Sequence, residues 1–365
     1  MKKLIEDLTT LVGVSSREDQ VIQYMLQAFQ KVSSNIQIDK LGNLICHFPS
    51  GKKNAKKAMI FGHMDEIGFV IRQIEKDGFL RVDRVGGVHV QILPGTRVNI
   101  LGSKGNVPGI IGIKSHHFMK PIEKNNLPTI ESLYVDIGAS SAQHARQLGV
   151  EIGQFICFQS NFVELADGLI SNKSMDNRVA CAILIELANR LGQTKEKLNW
   201  DVYLVACVQE EVNIRGILPA VRRIQPDISI GIDVTPACDT PELKGFTPVE
   251  LGKGPAFTFY NFHGRGTLAG VMPDERLLQT LIKTAKENQI SYQREVAIGV
   301  ITENAYILFE EHGIPVASLS VPTRYTHTPV ETVSVQDVEQ VVKVLYPFLT
   351  QLDEDSSFGK DHLLR

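Results

Sequence analysis

The spacing of apolar residues along the chain predicts helices near both ends. Leu4, Leu8 and Leu11 recur at helical intervals, and the segment Ser15-Ser-Arg-Glu18 is typical of the capped start of a second helix. In the second half, helical patterns alternate with apolar runs that are typical of buried strands. Helices are predicted there at 177–191, 217–224, 273–288 and 337–350, and strands at 201–209 and 228–234.

Three short strands are predicted between the first helices and residue 63. The runs 35–39 and 44–48 are joined through Leu41-Gly-Asn43, which is a hairpin signal. A third apolar run covers residues 58–62 and ends on His63.

The middle of the chain has a different pattern. From residue 68 to 165 the predicted strands are short and interrupted by glycine and proline, with one helical stretch at 140–148. We therefore predict an α/β fold whose catalytic domain is a doubly wound mixed sheet, formed by residues 1–67 and 166–365. Residues 68–165 are predicted to form an inserted small β-barrel or sandwich domain.

Composition narrows the class of protein. The 365 residues are 43% hydrophobic and 22% charged, and the net charge of −3 gives no reason to expect a nucleic acid or an anionic membrane as partner. The five cysteines are scattered singly, which fits a reducing compartment rather than a disulfide framework. No apolar run approaches the roughly 20 residues of a membrane span. We expect a cytoplasmic protein.

Polar residues cluster where the predicted strands end. They are His63 and Asp65 after the strand at 58–62, Asp176 before a helix, Glu210 and Glu211 after the strand at 201–209, Asp233, and His327. Each has an ordinary explanation as a helix cap or a solvated turn. Because the carboxyl ends of parallel strands meet at one edge of a sheet, the set as a whole indicates a shared site. Two histidines with several carboxylates suit divalent ions such as Zn²⁺, Co²⁺ or Mn²⁺ in a two-metal hydrolytic centre.

Five motifs carry a resemblance to a known family. They are Gly62-His-Met-Asp-Glu-Ile-Gly68, Ser174-Met-Asp-Asn-Arg-Val179, Val208-Gln-Glu-Glu-Val212, Gly231-Ile-Asp-Val-Thr235 and Pro322-Thr-Arg-Tyr-Thr-His327. In order and spacing the chain resembles the M42 metallo-aminopeptidases, which include glutamyl aminopeptidases, FrvX-type proteins and tetrahedral aminopeptidases. Gly86–Gly95 is similar to part of the barrel domain that this family inserts.

The resemblance implies a role for each residue. Asp176 is expected to bridge two divalent metal ions, zinc first and cobalt or manganese as alternatives. His63 and Asp233 complete one metal site, and Glu211 and His327 complete the other. Glu210 is the expected general base, and Asp65 orients His63. His89, His116 and His117 lie in the predicted insertion and are not expected to bind metal.

Two positions depart from the family pattern. Asn177 follows Asp176 where the family usually has a second aspartate, and Thr302-Glu-Asn-Ala305 replaces a common Thr-Asp-Ala sequence. Asn177 is not an expected ligand, so catalysis is expected to survive. The second change is expected to lie near the substrate and leaves the preferred N-terminal residue open.

The expected activity is hydrolysis of N-terminal residues from peptides by metal-activated water, with Glu210 moving the proton. The resemblance also implies a homo-oligomer, a hollow tetrahedral dodecamer, with the insertion making assembly contacts. Three alternatives stay open: a related two-metal carboxypeptidase or deacylase, an endoglucanase-type glycosidase, and a non-catalytic assembly protein. A glycosidase would use Glu210 and Glu211 as its carboxylate pair, but neighbours in an extended segment are expected to point in opposite directions.

Overall fold

The computed structural model describes residues 1–121, 126–264 and 270–364, and for residues 362 and 364 it describes only the backbone. In this part of the chain a large mixed sheet with helices accompanies a closed six-stranded barrel. This confirms the predicted α/β class with a small β-barrel. The helices are α1 (Lys2–Thr10), α2 (Asp19–Gln30), α3 (Ala142–Gln147), α4 (Met175–Gln193), α5 (Leu218–Ile224), α6 (Glu275–Glu287), α7 (Asn304–Ile307) and α8 (Val335–Gln351).

Twelve of the described strands belong to the large sheet. They are β1 (Ile36–Ile38), β2 (Leu44–Phe48), β3 (Lys57–His63), β10 (Val163–Glu164), β11 (Leu169–Asn172), β12 (Asp201–Cys207), β13 (Ile228–Pro236), β14 (Ala256–Phe262), β15 (Gly270–Val271), β16 (Gln293–Ile298), β17 (Val316–Arg324) and β18 (Glu331–Ser334). At its centre β12, β3, β13 and β17 are neighbours and run parallel. Their carboxyl ends therefore meet at one edge of the sheet.

The sheet is buried on both faces. In β3, Ile60 packs into one apolar cluster with α4 and α8, while Met59 and Phe61 pack into a second cluster with α5 and α7. Alternate side chains of a strand point to opposite faces, so an unbroken apolar run is what a doubly covered strand requires. This burial fixes the position of the strand ends that carry the polar residues.

The second helix begins differently from the prediction. Its N-cap residue is Glu18, and neither serine caps it with a side chain. Ser15 instead donates a 2.6 Å hydrogen bond to Asp65. The serine that was predicted as a helix signal therefore contacts the loop that follows β3.

The barrel strands all lie within the predicted insertion. They are β4 (Gly68–Ile74), β5 (Leu80–Val85), β6 (Arg97–Gly102), β7 (Gly105–Ile111), β8 (Val135–Asp136) and β9 (Phe155–Phe158), in the closed order β4-β5-β8-β7-β6-β9. Phe69 and Phe158 meet edge to face in its separate core, with ring centroids 5.6 Å apart. β10 also lies within the predicted insertion, but it pairs with β11 of the large sheet. The exact domain boundaries stay a prediction.

The longest apolar stretches serve the core of this fold. Across the described residues, no helix combines the length and the apolar character needed to cross a membrane.

Candidate active site

The structure brings all seven predicted site residues together at the carboxyl edge of the central strands. Six of them line a cavity of about 830 Å³: His63, Asp176, Glu210, Glu211, Asp233 and His327. The seventh, Asp65, is fully buried and does not line the cavity. Asp233 lies inside β13 rather than after it, because this strand continues to Pro236 in register with β17.

Asp176 is shared by two groups of potential metal ligands. In the first group, His63 Nε2 lies 3.1 Å from Asp176 Oδ1 and 3.9 Å from Asp233 Oδ1. In the second, His327 Nε2 lies 3.4 Å from Asp176 Oδ2 and 3.7 Å from Glu211 Oε2. Within each group the candidate ligand atoms lie within 4.8 Å of one another. The two oxygens of one carboxylate thus face two separate histidines.

Asp176 owes its position to an irregular start of α4. Asp176 and Asn177 have non-helical backbone angles, and the peptide bond between them is cis. The Asn177 side chain donates a 2.9 Å hydrogen bond to the carbonyl of Ile232 in β13. Asn177 therefore ties the start of α4 to the strand that carries Asp233, and it is not among the candidate ligands.

Asp65 links the two loops that carry the site. The Nδ1 atom of His63 lies 3.1 Å from the Asp65 carbonyl and 3.4 Å from its carboxylate. The same carboxylate accepts backbone hydrogen bonds from Glu210 at 2.9 Å and Glu211 at 3.1 Å. It therefore fixes the ring of His63 and also the turn after β12. The hydrogen bonds and charge of His63 lower the pKa of Asp65 against the opposing effect of its burial.

The segment after β12 is a turn and not extended chain. Gln209 has a positive φ of 57°, and both Glu210 and Glu211 line the same cavity. The expectation that these two side chains point in opposite directions is wrong, because it assumed a strand that continues past Cys207. Glu210 Oε2 lies 3.8 Å from His63 Nε2, beside the first ligand group.

Burial and mutual repulsion raise the pKa values of three of the crowded carboxylates. Burial raises the pKa of Glu211 to about 8, with the charge of Asp176 adding to the effect. Burial also raises the pKa of Glu210 and that of Asp233 well above their ordinary values, and neighbouring carboxylates reinforce both shifts. Asp176 is the exception: despite its burial, hydrogen bonds with His327 and His63 lower its pKa.

For the two histidines, burial and the neighbouring carboxylates change the pKa in opposite directions. Burial acts to lower the pKa of His327, but the hydrogen bond with Asp176 and the charge of Glu211 raise it to about 10. For His63, hydrogen bonds with Asp176 and Asp65 likewise outweigh burial and raise the pKa well above its usual range. Both shifts favour the charged imidazolium form beside the surrounding carboxylates.

Glu331 is a structural part of the site that sequence reasoning missed. Its buried carboxylate accepts a hydrogen bond from the backbone N–H of Asp176 at 3.0 Å and one from His327 at 2.7 Å. Burial and the charge of Asp176 raise its pKa. Glu331 connects ligands from two remote segments, and no local pattern around it signals this role.

Glu303 is the second residue that was missed. It lies in the departing segment 302–305, and it forms a third acidic group with Glu210 and Asp233. The thiol of Cys207 donates a 2.9 Å hydrogen bond to its carboxylate. The segment that departs from the family pattern therefore lies among the candidate site residues. The sequence indicated only that this segment lies near the substrate.

The donor set fits divalent cations. Imidazole and carboxylate are suitable ligands for zinc-like ions, and each histidine is fixed through its other ring nitrogen, as Nδ1 of His327 is by the Gly87 carbonyl at 2.9 Å. No lysine or arginine lies among the described residues that line the cavity. Acidic and histidine groups that could hold metal are therefore present.

The fold and this site are typical of a class of hydrolase, and the two groups of candidate imidazole and carboxylate ligands share one carboxylate. The model of the M42 glutamyl aminopeptidase family matches residues 42–344. The chain belongs to this family, and it is an aminopeptidase, an exopeptidase that hydrolyses peptide bonds.

Known relatives agree with this assignment. The putative aminopeptidase SgcX of Escherichia coli K12 is 44% identical over 91% of this chain and 89% of its own length. The aminopeptidase APDkam598 from Desulfurococcus kamchatkensis has a TM-score of 0.89 at 32% identity, covering 97% of this chain and 95% of that one. The TET1 peptidase of Pyrococcus horikoshii, which assembles into a tetrahedron or a large octahedral shell, has a TM-score of 0.84 at 27% identity, covering 96% and 99%.

Proposed function

We propose that the chain is a dinuclear metallo-aminopeptidase in which Asp176 bridges two divalent ions. His63 and Asp233 complete one ion site, and Glu211 and His327 complete the other. The observation that carries this proposal is the division of the two Asp176 oxygens between two histidines, at 3.1 and 3.4 Å. The ions, with zinc as the first candidate and cobalt or manganese as alternatives, would acidify a water molecule and polarise the scissile carbonyl.

Glu210 is the proposed general base. Its carboxylate lies beside the ligands but outside the two histidine-containing groups, as a proton-transfer group should. Burial raises its pKa, so it holds an abstracted proton readily and can return it to the leaving amine. The backbone hydrogen bond from Glu210 to Asp65 keeps the base in place during both transfers.

The neighbouring Glu211 has a different proposed role. Its carboxylate lies with Asp176 and His327 in the second ligand group, so it faces a metal site rather than the substrate water. This assignment also argues against a glycosidase, because a glycosidase needs two free carboxylates that flank a sugar.

We further infer a cytoplasmic homo-oligomer that acts on peptides. The five cysteines are all free and buried, which suits a reducing compartment. A solved structure of the similar PhTET1 peptidase, which is described as a dodecamer, supports a dodecamer for this chain. His116 and His117 lie on an exposed turn of the inserted segment. Neither residue belongs to a group of candidate ligands, which supports the expectation that they do not bind metal.

A pair of matched peptides tests the activity. One is a tripeptide amide with a free α-amine and the other is its N-acetylated form, each assayed with and without a chelator. Cleavage of the N-terminal residue of the free peptide alone, abolished by the chelator, is the expected result. Removal of the acetyl group would identify the deacylase alternative instead. Cleavage of the C-terminal residue from an unamidated form of the same peptide would identify the carboxypeptidase alternative.

A further inference from the structure

Three apolar residues, Ile214, Ile301 and Tyr306, line the active-site cavity, and we call them the apolar corner. Ile214 is 4% exposed and belongs to the buried cluster that covers one face of the sheet, and the other two residues pack against that cluster. The three side chains thus belong to the same apolar cluster and reach the cavity.

The backbone ties the apolar corner to the proposed catalytic groups. The N–H of Ile214 donates a 2.7 Å hydrogen bond to the carbonyl of Glu210, and the N–H of Tyr306 donates one of 3.0 Å to the carbonyl of Glu303. Ile301 precedes Glu303 by two residues. A peptide whose first carbonyl reacts beside Glu210 therefore has its first side chain within reach of this surface.

The charges around the apolar corner would not favour a charged side chain. The charged residues among the described cavity lining are carboxylates and histidines, with no lysine or arginine. A glutamate or aspartate side chain in the apolar corner would be buried with no lysine or arginine among the described lining residues to pair with it, which is unfavourable. A lysine side chain would compete with the proposed metal ions for the same carboxylates.

We infer that the enzyme prefers uncharged apolar N-terminal residues of the leucine and methionine class, and that the apolar corner binds their side chains. This inference rests on the proposed function. It also means that the glutamyl preference in the family's description does not extend to this chain. Tyr306 allows aromatic residues to pack as well, since its ring can meet another ring edge to face.

Hydrophobic contact sets the size of the expected effect. Each methylene that enters an apolar pocket is worth roughly a 10-fold to 200-fold gain in kcat/KM. Leucine should therefore exceed alanine by at least about tenfold, and it should exceed glutamate by about a hundredfold or more, because glutamate also loses its hydration.

The test compares chromogenic leucyl, methionyl, alanyl, lysyl and glutamyl substrates with the metal-loaded protein at pH 8. Faster cleavage of the leucyl and methionyl substrates is the expected result. A glutamyl or lysyl rate equal to or above the leucyl rate overturns the inference and leaves the proposed function intact. Failure to cleave any of the five refutes the proposed function itself, and the inference with it.

A single variant tests the position of the pocket. Ile301→Lys introduces a cation into the apolar corner and should raise the glutamyl-to-leucyl ratio of kcat/KM by at least about tenfold. Gln279→Lys adds the same charge on the exposed face of α6, where Glu275 accepts its hydrogen bond, and should leave the ratio unchanged. An unchanged ratio in a folded, metal-containing Ile301→Lys protein would show that the first side chain binds elsewhere.

Discussion

Two neighbouring carboxylates have different partners, and for this reason we propose different roles for them. Glu211 lies 3.7 Å from His327 and shares a ligand group with Asp176. Glu210 is outside both histidine-containing groups, although it lies 3.8 Å from His63. The backbone of both residues is held by the single carboxylate of Asp65. In the proposed mechanism this turn presents Glu211 to a metal and Glu210 to the substrate water.

Substitution by glutamine separates these roles. We expect Glu210→Gln to keep its metal and to lose roughly 10²–10⁴-fold in kcat, because glutamine cannot accept the proton. Glu211→Gln removes a charged ligand, so its ion should bind more weakly and excess metal should recover part of the activity. Activity and metal content are measured together across a metal titration. If metal rescues Glu210→Gln and leaves Glu211→Gln inactive, the two roles are reversed.

Protons and metal ions compete for the same ligands. The pKa of His327 is raised to about 10 and that of Glu211 to about 8, so between pH 6 and 7 both groups carry protons in the metal-free site. A cation must displace these protons, and the metal should therefore bind more tightly as pH rises.

We expect the apparent Kd for zinc to fall by at least about tenfold from pH 6 to pH 7, since each displaced proton contributes a factor of about ten per pH unit. Titration of the metal-free protein against a competing chelator measures this change. Calorimetry in buffers of different ionisation enthalpy counts the released protons. An affinity that is the same at both pH values would contradict the assignment of these residues as ligands.

Most of the candidate site residues could be predicted from the sequence. The seven proposed site residues follow or lie in apolar strands and recognisable motifs, so their convergence was predictable from the alternation of strands and helices. Glu303 and Glu331 were not, because their role arises from burial against remote segments. The direction of Glu210 and Glu211 was also missed, since it depends on the positive φ of Gln209.

At the scale of elements, the close packing of β3 against α4 positions the site. A Cβ atom at Gly62 would overlap the methyl group of Ala180, and it would lie 3.2 Å from the carbonyl oxygen of Ile232. Gly62 directly precedes His63, so the strand can deliver its histidine beside the start of α4 only if position 62 has no side chain.

A pair of substitutions tests this contact. Gly62→Ala should lower the thermal midpoint by overpacking, which typically costs about 1–3 kcal/mol. Ala180→Gly removes the opposing methyl group, at a cost of about 1 kcal/mol for glycine in a helix. The double variant should melt above Gly62→Ala alone in differential scanning calorimetry. If it melts at or below that single variant, the two positions do not share a contact.

Element boundaries were less predictable than element types. The strand pattern predicts 228–234 for β13, but Thr235 and Pro236 also pair with residues 322 and 323 of β17. Pairing with a distant strand extends β13, and apolar periodicity carries no information about it. The predicted cap of α2 failed for a similar reason, because Ser15 bonds to Asp65 instead.

At the scale of the whole molecule, we propose that most catalytic groups and the assembly contacts belong to different parts of the fold. The ligand groups come from the large sheet and α4, while the barrel contributes the Gly87 carbonyl that holds His327 and the exposed His89 in the cavity wall. Exposed apolar side chains occur on the inserted segment, including Ile113 at 57% and Phe118 at 77% exposure. We expect these two side chains to contribute to the assembly contact that we propose for the inserted segment.

The proposed dodecamer has a mass that is easily tested. Twelve copies of the 40.5 kDa chain amount to about 490 kDa. Light scattering after size exclusion should give this value for the metal-loaded protein. Phe118→Asp should shift the mass to smaller species, because a charge in a covered apolar contact is unfavourable. A wild-type protein that elutes as a monomer would contradict the assembly.

Metal stoichiometry tests the central claim most directly. The protein is stripped by exhaustive chelation, its residual metal is measured by elemental analysis, and leucyl substrate turnover is followed as zinc, cobalt or manganese is added back in fractions of an equivalent per chain. The account predicts loss of activity on stripping and recovery that is complete at two equivalents. Full activity with less than about a tenth of an equivalent of metal would contradict it.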